Sequence, residues 1–175
     1  IVLLPLKLDS LFSADTSNFR DKNMANISTV NIEKITITSQ GHGPVELTRI
    51  SKKSQEEGDS GSSSTSEWRV ISDGKEQSAE KTNVDALVQQ LSPLLAQGFP
   101  DKAPEGEPFA NLKIEEKDGT ETVVSLWPPR DDDMYPARIS TSQYGFLIRK
   151  WQAKRLLLNM DKYFAGFETG ENEGQ

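Results

Sequence analysis

The stretch Thr82–Gly98, TNVDALVQQLSPLLAQG, limits what this chain can fold into more than any other. Val84, Leu87, Val88, Leu91, Leu94 and Leu95 recur at the i, i+3, i+4, i+7 spacing that places them on one face of a helix. Thr82 or Asn83 offers a side-chain oxygen to the orphan N–H groups of the first turn. Asp85 puts a negative charge near the positive end of the helix dipole, and Gly98 stands where a left-handed C-terminal cap belongs. Pro93 has no N–H to donate. The spacing therefore predicts a kink near Leu91, or two short collinear helices with Ser92 capping the second. A helix with one apolar stripe must bury it, and the flanking segments read as the sheet that it covers.

Those segments alternate with period two. Ile35 and Ile37 alternate with Thr36 and Thr38, while Ile32 is one place out of phase, which predicts a bulge or bend between Ile32 and Ile35. The turn cluster Gly41–Pro44 leads to Val45, Leu47 and Arg49, completing a hairpin. Lys52–Glu67 is Ser/Gly/Glu-rich and has almost nothing apolar to bury, so it reads as a long disordered hairpin tip. Strand chemistry resumes at Trp68, Val70 and Ile71, and Asp73-Gly74 closes that strand before the helix. Trp68 and Trp151, at the start of a strand and of a helix, read as core residues.

Residues 100–110, rich in Pro and Gly, form a connector, and the second half repeats the element order of the first. Leu112 and Ile114, the hairpin dipeptide Asp118-Gly119, and Val123 and Leu126 make a second hairpin. Tyr135–Ile139 and Tyr144–Ile148 supply one or two further strands, and Ala153, Leu156, Leu157, Met160 and Phe164 repeat the helical stripe up to Gly166. Near the N-terminus, Leu4, Leu6 and Leu8 alternate as a short strand, and Ala14–Ile27 reads as loop or marginal helix. The expected fold is α+β: two β-β-β-α-like repeats whose mainly antiparallel sheets are each covered by an amphipathic helix. Its parts are an N-terminal strand and linker (1–31), a first repeat (32–99), the connector, a second repeat (111–166) and an acidic tail (167–175).

Chemistry is sparse. A formal charge of −7 argues against nucleic acid as a main partner. The absence of cysteine excludes a disulfide framework, thiolate zinc sites and a cysteine nucleophile. His42, the single histidine, lies in a Gly-flanked turn with no second metal ligand nearby. Asp131, Asp132 and Asp133 lack the alternating ligands and Gly bend of a calcium loop and read as a solvated loop. No phosphate-binding loop and no nucleophile elbow is present, and Glu115 with Asp118 is a weak carboxylate pair at a hairpin tip. These readings give no catalytic residue, no metal ligand and no cofactor. Trp127, Arg130, Tyr135 and Arg138 are the residue types that anchor protein interfaces and form the candidate interaction patch. The chain begins at Ile1, which leads to the expectation of a removed signal or membrane segment upstream.

The order Ile32, Ile35, Ile37, then LTR (Leu47–Arg49), EWRV (Glu67–Val70) and VDALVQQLSPLLAQGF (Val84–Phe99) resembles the domain-of-unknown-function family numbered 4340. The DGT turn (Asp118–Thr120), Tyr135–Arg138 and Tyr144–Ile148 extend that resemblance over most of Ile32–Phe164. It implies a membrane-anchored bacterial envelope protein on the periplasmic face of the inner membrane, with some members linked to gliding-type ABC transport auxiliaries. No catalytic residues are defined for that family. The function expected is a non-catalytic envelope domain that binds a protein partner. The alternative is a module that holds a small ligand or cell-wall fragment in a groove between the repeats.

Overall fold

A computed structural model describes residues 20–52, 65–72, 74–129 and 133–158. The first half runs β1 (Asn23–Ala25), β2 (Ile32–Ser39), β3 (His42–Lys52), β4 (Thr65–Ser72), β5 (Lys75–Ser78) and α1 (Lys81–Gln90). The second runs β6 (Leu94–Leu95), β7 (Ala110–Glu116), β8 (Glu121–Leu126), β9 (Met134–Ile139), β10 (Gly145–Arg149) and α2 (Lys150–Leu156). The fold is thus α+β and dominated by antiparallel sheet, with two short helices. None of the helices among the described residues is long and apolar enough to cross a membrane.

Eight strands form one sheet in the order β10-β9-β8-β7-β2-β3-β4-β5. The expectation of separate sheets is corrected here: β2 and β7 pair antiparallel and fuse the two halves into a single surface. Register follows the hydrophobic alternation. Ile35 lies between Leu47 and Ile114, and Ile37 between Val45 and Leu112; Leu112 then continues to Val124 and Ile139. All of these side chains are buried. A slip of one residue would turn every one of them to the other face, so the pattern itself fixes the register. The bulge read from Ile32 is present as a register shift between Ile32 and Lys34. On the opposite face Lys34 pairs with Glu46 at 2.9 Å, and Lys113 pairs with Glu121 at 2.7 Å.

Both helices contribute to a single core on the apolar face of the sheet, and they pack against each other. From α1, Val84, Leu87 and Val88 are buried; from α2, Gln152, Ala153 and Leu156 are buried. Each fully buried Leu or Ile there adds roughly 1.5–3 kcal/mol.

Several local expectations are corrected. The first helix ends at Gln90 and does not reach Gly98; its N-cap is Glu80, which makes no side-chain cap bond. Beyond Ser92-Pro93 the chain becomes β6, which pairs with β1, a strand formed by residues read as loop or marginal helix. Leu91 and Leu94 stay fully buried, but Leu95 is 45% exposed, so the stripe does not continue through Pro93. An additional strand, β5, stands between β4 and α1, where the sequence reads as passing straight to the helix. Trp151 is 48% exposed, not core. The expected strand at Leu4–Leu8, most of the Ser-rich tip, and Met160, Phe164 and Gly166 lie outside the described residues.

Candidate functional site

Period two in β9 divides the predicted patch. Tyr135, Ala137 and Ile139 face the core, and Arg138 faces outward. Tyr135 is 2% exposed, with its ring centroid 6.1 Å from that of Phe109. It is a core residue and not part of a surface. Arg130 lies outside the described residues.

Trp127 and Arg138 do come together. They line a shallow depression of about 260 Å³ with Val123 and Ser125 on the outer side of β8 and β9. Trp127 is held at both ends: its backbone N–H donates to the Pro136 carbonyl at 2.9 Å, and its indole Nε1–H donates to the Gly106 carbonyl at 3.0 Å. The depression is floored by hydrogen bonds within the sheet. Ser125 Oγ donates to Asn111 Oδ1 at 2.7 Å, and the Val123 N–H donates to Ser140 Oγ at 3.0 Å.

The other titratable candidates have local structural partners. His42 Nδ1 lies 3.1 Å from the Gln40 carbonyl and 3.4 Å from Ser39 Oγ, at the exposed start of β3. Asp133 sits at φ 57° with a carboxylate oxygen 3.9 Å from Lys150 Nζ; Asp131 and Asp132 lie outside the described residues. No group of three metal-ligating side chains occurs among the described residues. Glu115 pairs with Lys113 at 3.3 Å. The Thr120 N–H donates to Asp118 Oδ1 at 2.9 Å, and this bond lowers the Asp118 pKa below its ordinary value. A carboxyl held ionised is poorly matched to a general acid near neutral pH. The carboxylates of Glu121 and Glu115 accept hydrogen bonds from Lys113 and raise its pKa.

A second concave region was not found from the sequence. An open cleft of about 680 Å³ is lined by Asp133, Met134, Arg149, Lys150, Trp151 and Lys154. Its signal in the sequence was the run RKWQAKR, Arg149–Arg155, which has four cations and no carboxylate in a chain of net charge −7. The phase of α2 turns Gln152, Ala153 and Leu156 inward and leaves Trp151 outside. Elsewhere, Arg49 stacks over Trp68 at 5.0 Å and donates through Nη1 to the Val30 carbonyl at 3.0 Å. Its Nε is buried without a hydrogen-bond partner, covered by protein and so closed to a ligand.

Comparisons of the chain with protein-family models, with curated proteins and with solved structures find no match.

Proposed function

We propose that this chain is a non-catalytic interaction domain of the bacterial cell envelope, on the periplasmic face of the inner membrane, that binds a protein partner or serves as a transport auxiliary. The observation that carries the reading is the outer face of the sheet, which has Trp127 and Arg138 sharing one depression over β8 and β9. Tryptophan and arginine are enriched among the few residues that carry most of the energy of protein interfaces, and an aromatic fixed at both ends loses little entropy when covered. The motif resemblance supports the placement in the envelope and an anchor preceding the domain.

We read the two halves as copies of one unit, each closed by its own helix. What supports this is the strand order: four consecutive antiparallel strands lead to a helix in each half, and the first strands, β2 and β7, lie side by side. The alternative, a small ligand held between the halves, has less support, because a backbone ladder from Lys34 to Ser39 occupies that seam.

The test is in-cell cross-linking of the full chain followed by mass spectrometry. The double variant Trp127→Ala, Arg138→Ala is expected to lose its principal cross-linked partner while melting like the parent. An unchanged set of partners refutes the assigned patch.

A further inference from the structure

We propose that the cavity between the residues leading into β1 and those leading into β10 binds a free α-amino acid with an apolar side chain, held as its zwitterion. The proposal goes beyond the interaction-domain reading and uses neither Trp127 nor Arg138, which do not line this cavity.

The cavity measures about 380 Å³, and three segments wall it. Arg20 and Asp21 precede β1, Phe99 follows β6, and Ser142, Tyr144 and Phe146 come from the turn after β9 and from β10. Backbone bonds fix all three. The Ala96 N–H donates to the Lys22 carbonyl at 2.8 Å, and Asn23 pairs with Leu95. The Gln97 N–H donates to the Leu147 carbonyl at 2.8 Å, and the Leu147 N–H donates to the Gly98 carbonyl at 2.9 Å, which sets Phe99 beside β10. The Tyr144 N–H donates to Ser142 Oγ at 3.2 Å. Walls held in this way give up little freedom on binding. The volume lies at the small end of the range for ligand pockets and suits one small molecule.

Aromatic rings supply the apolar surface. Phe146 is 3% exposed, and its ring centroid lies 5.8 Å from that of half-buried Phe99, with the planes tilted by 42°. Tyr144 is 51% exposed, so its ring remains accessible. The Arg20 guanidinium lies 5.4 Å from the Phe99 centroid and 5.7 Å from the Tyr144 centroid. Stacking uses the faces of a guanidinium and leaves its in-plane N–H donors for a carboxylate. Asp21 Oδ1 accepts from the Asn23 N–H at 2.8 Å. A carboxylate has about four acceptor positions, so most of those on Asp21 remain for an ammonium. Among the described residues, none of the ion pairs uses Arg20 or Asp21.

One cation and one carboxylate in the same small cavity select the ligand. A simple carboxylate satisfies Arg20 but is repelled by Asp21, and a simple organic cation satisfies Asp21 but is repelled by Arg20. A molecule with both charges on neighbouring atoms answers both residues. Its side chain then falls among the rings of Phe99, Tyr144 and Phe146, where an apolar group is preferred.

The test is a titration of the isotopically labelled full chain with L-phenylalanine, followed by nuclear magnetic resonance. Saturable shifts are expected at the Tyr144 ring and at the backbone amides of residues 20–23, 97–99 and 142–146. N-acetyl-L-phenylalanine lacks the ammonium and L-phenylalaninamide lacks the carboxylate, and each should bind about tenfold more weakly or worse. Both are tested on the unaltered chain, so these comparisons do not depend on a variant folding. Arg20→Gln, Asp21→Asn and Tyr144→Ala should each weaken L-phenylalanine by about tenfold or more. Asparagine at position 21 keeps an oxygen for the Asn23 N–H, and Trp127→Ala should bind as the parent does. Absence of saturable shifts up to about 20 mM ligand, beyond the millimolar range open to so small a molecule, overturns the proposal. So does equal binding of either blocked compound, which would mark a site for a lone carboxylate or a lone cation. Equal binding of L-serine would remove the role given to the rings and overturns it too. Failure here leaves the cross-linking test of Trp127 and Arg138 intact, so the two readings fail separately.

Discussion

Gln152 offers a sensitive measurement of how α2 is joined to the sheet. It is buried in a helix of only seven residues, and both ends of its amide are used. The Arg149 N–H can only donate and the Leu95 carbonyl can only accept, which fixes which end of the amide is oxygen. Replacement by leucine leaves one backbone donor and one acceptor without partners in part-buried surroundings. At about 1–1.5 kcal/mol each, the low end of the range for such groups, Gln152→Leu should cost roughly 2–3 kcal/mol. For a chain of this size that is a fall in melting temperature of about 4–12 °C. Gln152→Glu separates the two bonds. The introduced carboxyl can still accept from the Arg149 N–H, but only its protonated form can donate to the Leu95 carbonyl. Burial and the facing carbonyl raise its folded-state pKa above the ordinary 4.3 or so, although the cations of α2 limit the rise. A raised acid has its penalty absent below the unfolded pKa. The penalty grows through the window up to the folded pKa, by at most about 1.4 kcal/mol per pH unit, and is constant above it. Urea titrations at pH 3.5, 5 and 7 should therefore find Gln152→Glu near the parent at the lowest pH and weakest at pH 7. A leucine variant within about 0.5 kcal/mol of the parent, the range of an ordinary surface change, would show that these bonds do not hold the helix, and a glutamate variant with no pH trend would show the same.

Two further outcomes follow from residues already described. Leu91→Ala removes a fully buried side chain beside the α1 terminus and should cost roughly 2–5 kcal/mol by urea unfolding with an unchanged m-value. Asp118 has a lowered pKa, so its stabilising effect is present above the unfolded value and is lost as pH falls through the folded one. Asp118→Ala should accordingly be less stable than the parent at pH 7 and converge with it as pH falls through the lowered pKa of Asp118, read by thermal melting across that range.

The sheet was legible wherever one face of a strand is buried. Ile35 and Ile37, Val45 and Leu47, and Leu112 and Ile114 declare a period of two because each meets its neighbours in the core. Strand β5, KEQS, declares nothing, since an edge strand gains its place by backbone pairing with β4 and not by apolar burial. The helical stripe from Val84 to Leu95 was misread past Gln90 because Leu94 is buried in either conformation, and periodicity cannot distinguish a helix from a short strand there. The site was legible in part. Trp127 and Arg138 line one depression, but the alternation of β9 itself separates Tyr135 from Arg138. Trp151 stands at the start of a helix and reads as core, but its neighbours Gln152 and Ala153 occupy the inward phase.

Pairing Ile35 with Ile114 has a cost during synthesis. About 80 residues separate the two, so at ~5–20 residues per second the ribosome takes roughly 4–16 s to supply the partner. Throughout that interval the segment IEKITITS presents a bare, β-prone margin to the cytosol or to a translocation channel. A nascent chain arrested before Ala110 is therefore the species most exposed to clumping, and a holding chaperone would find its grip there.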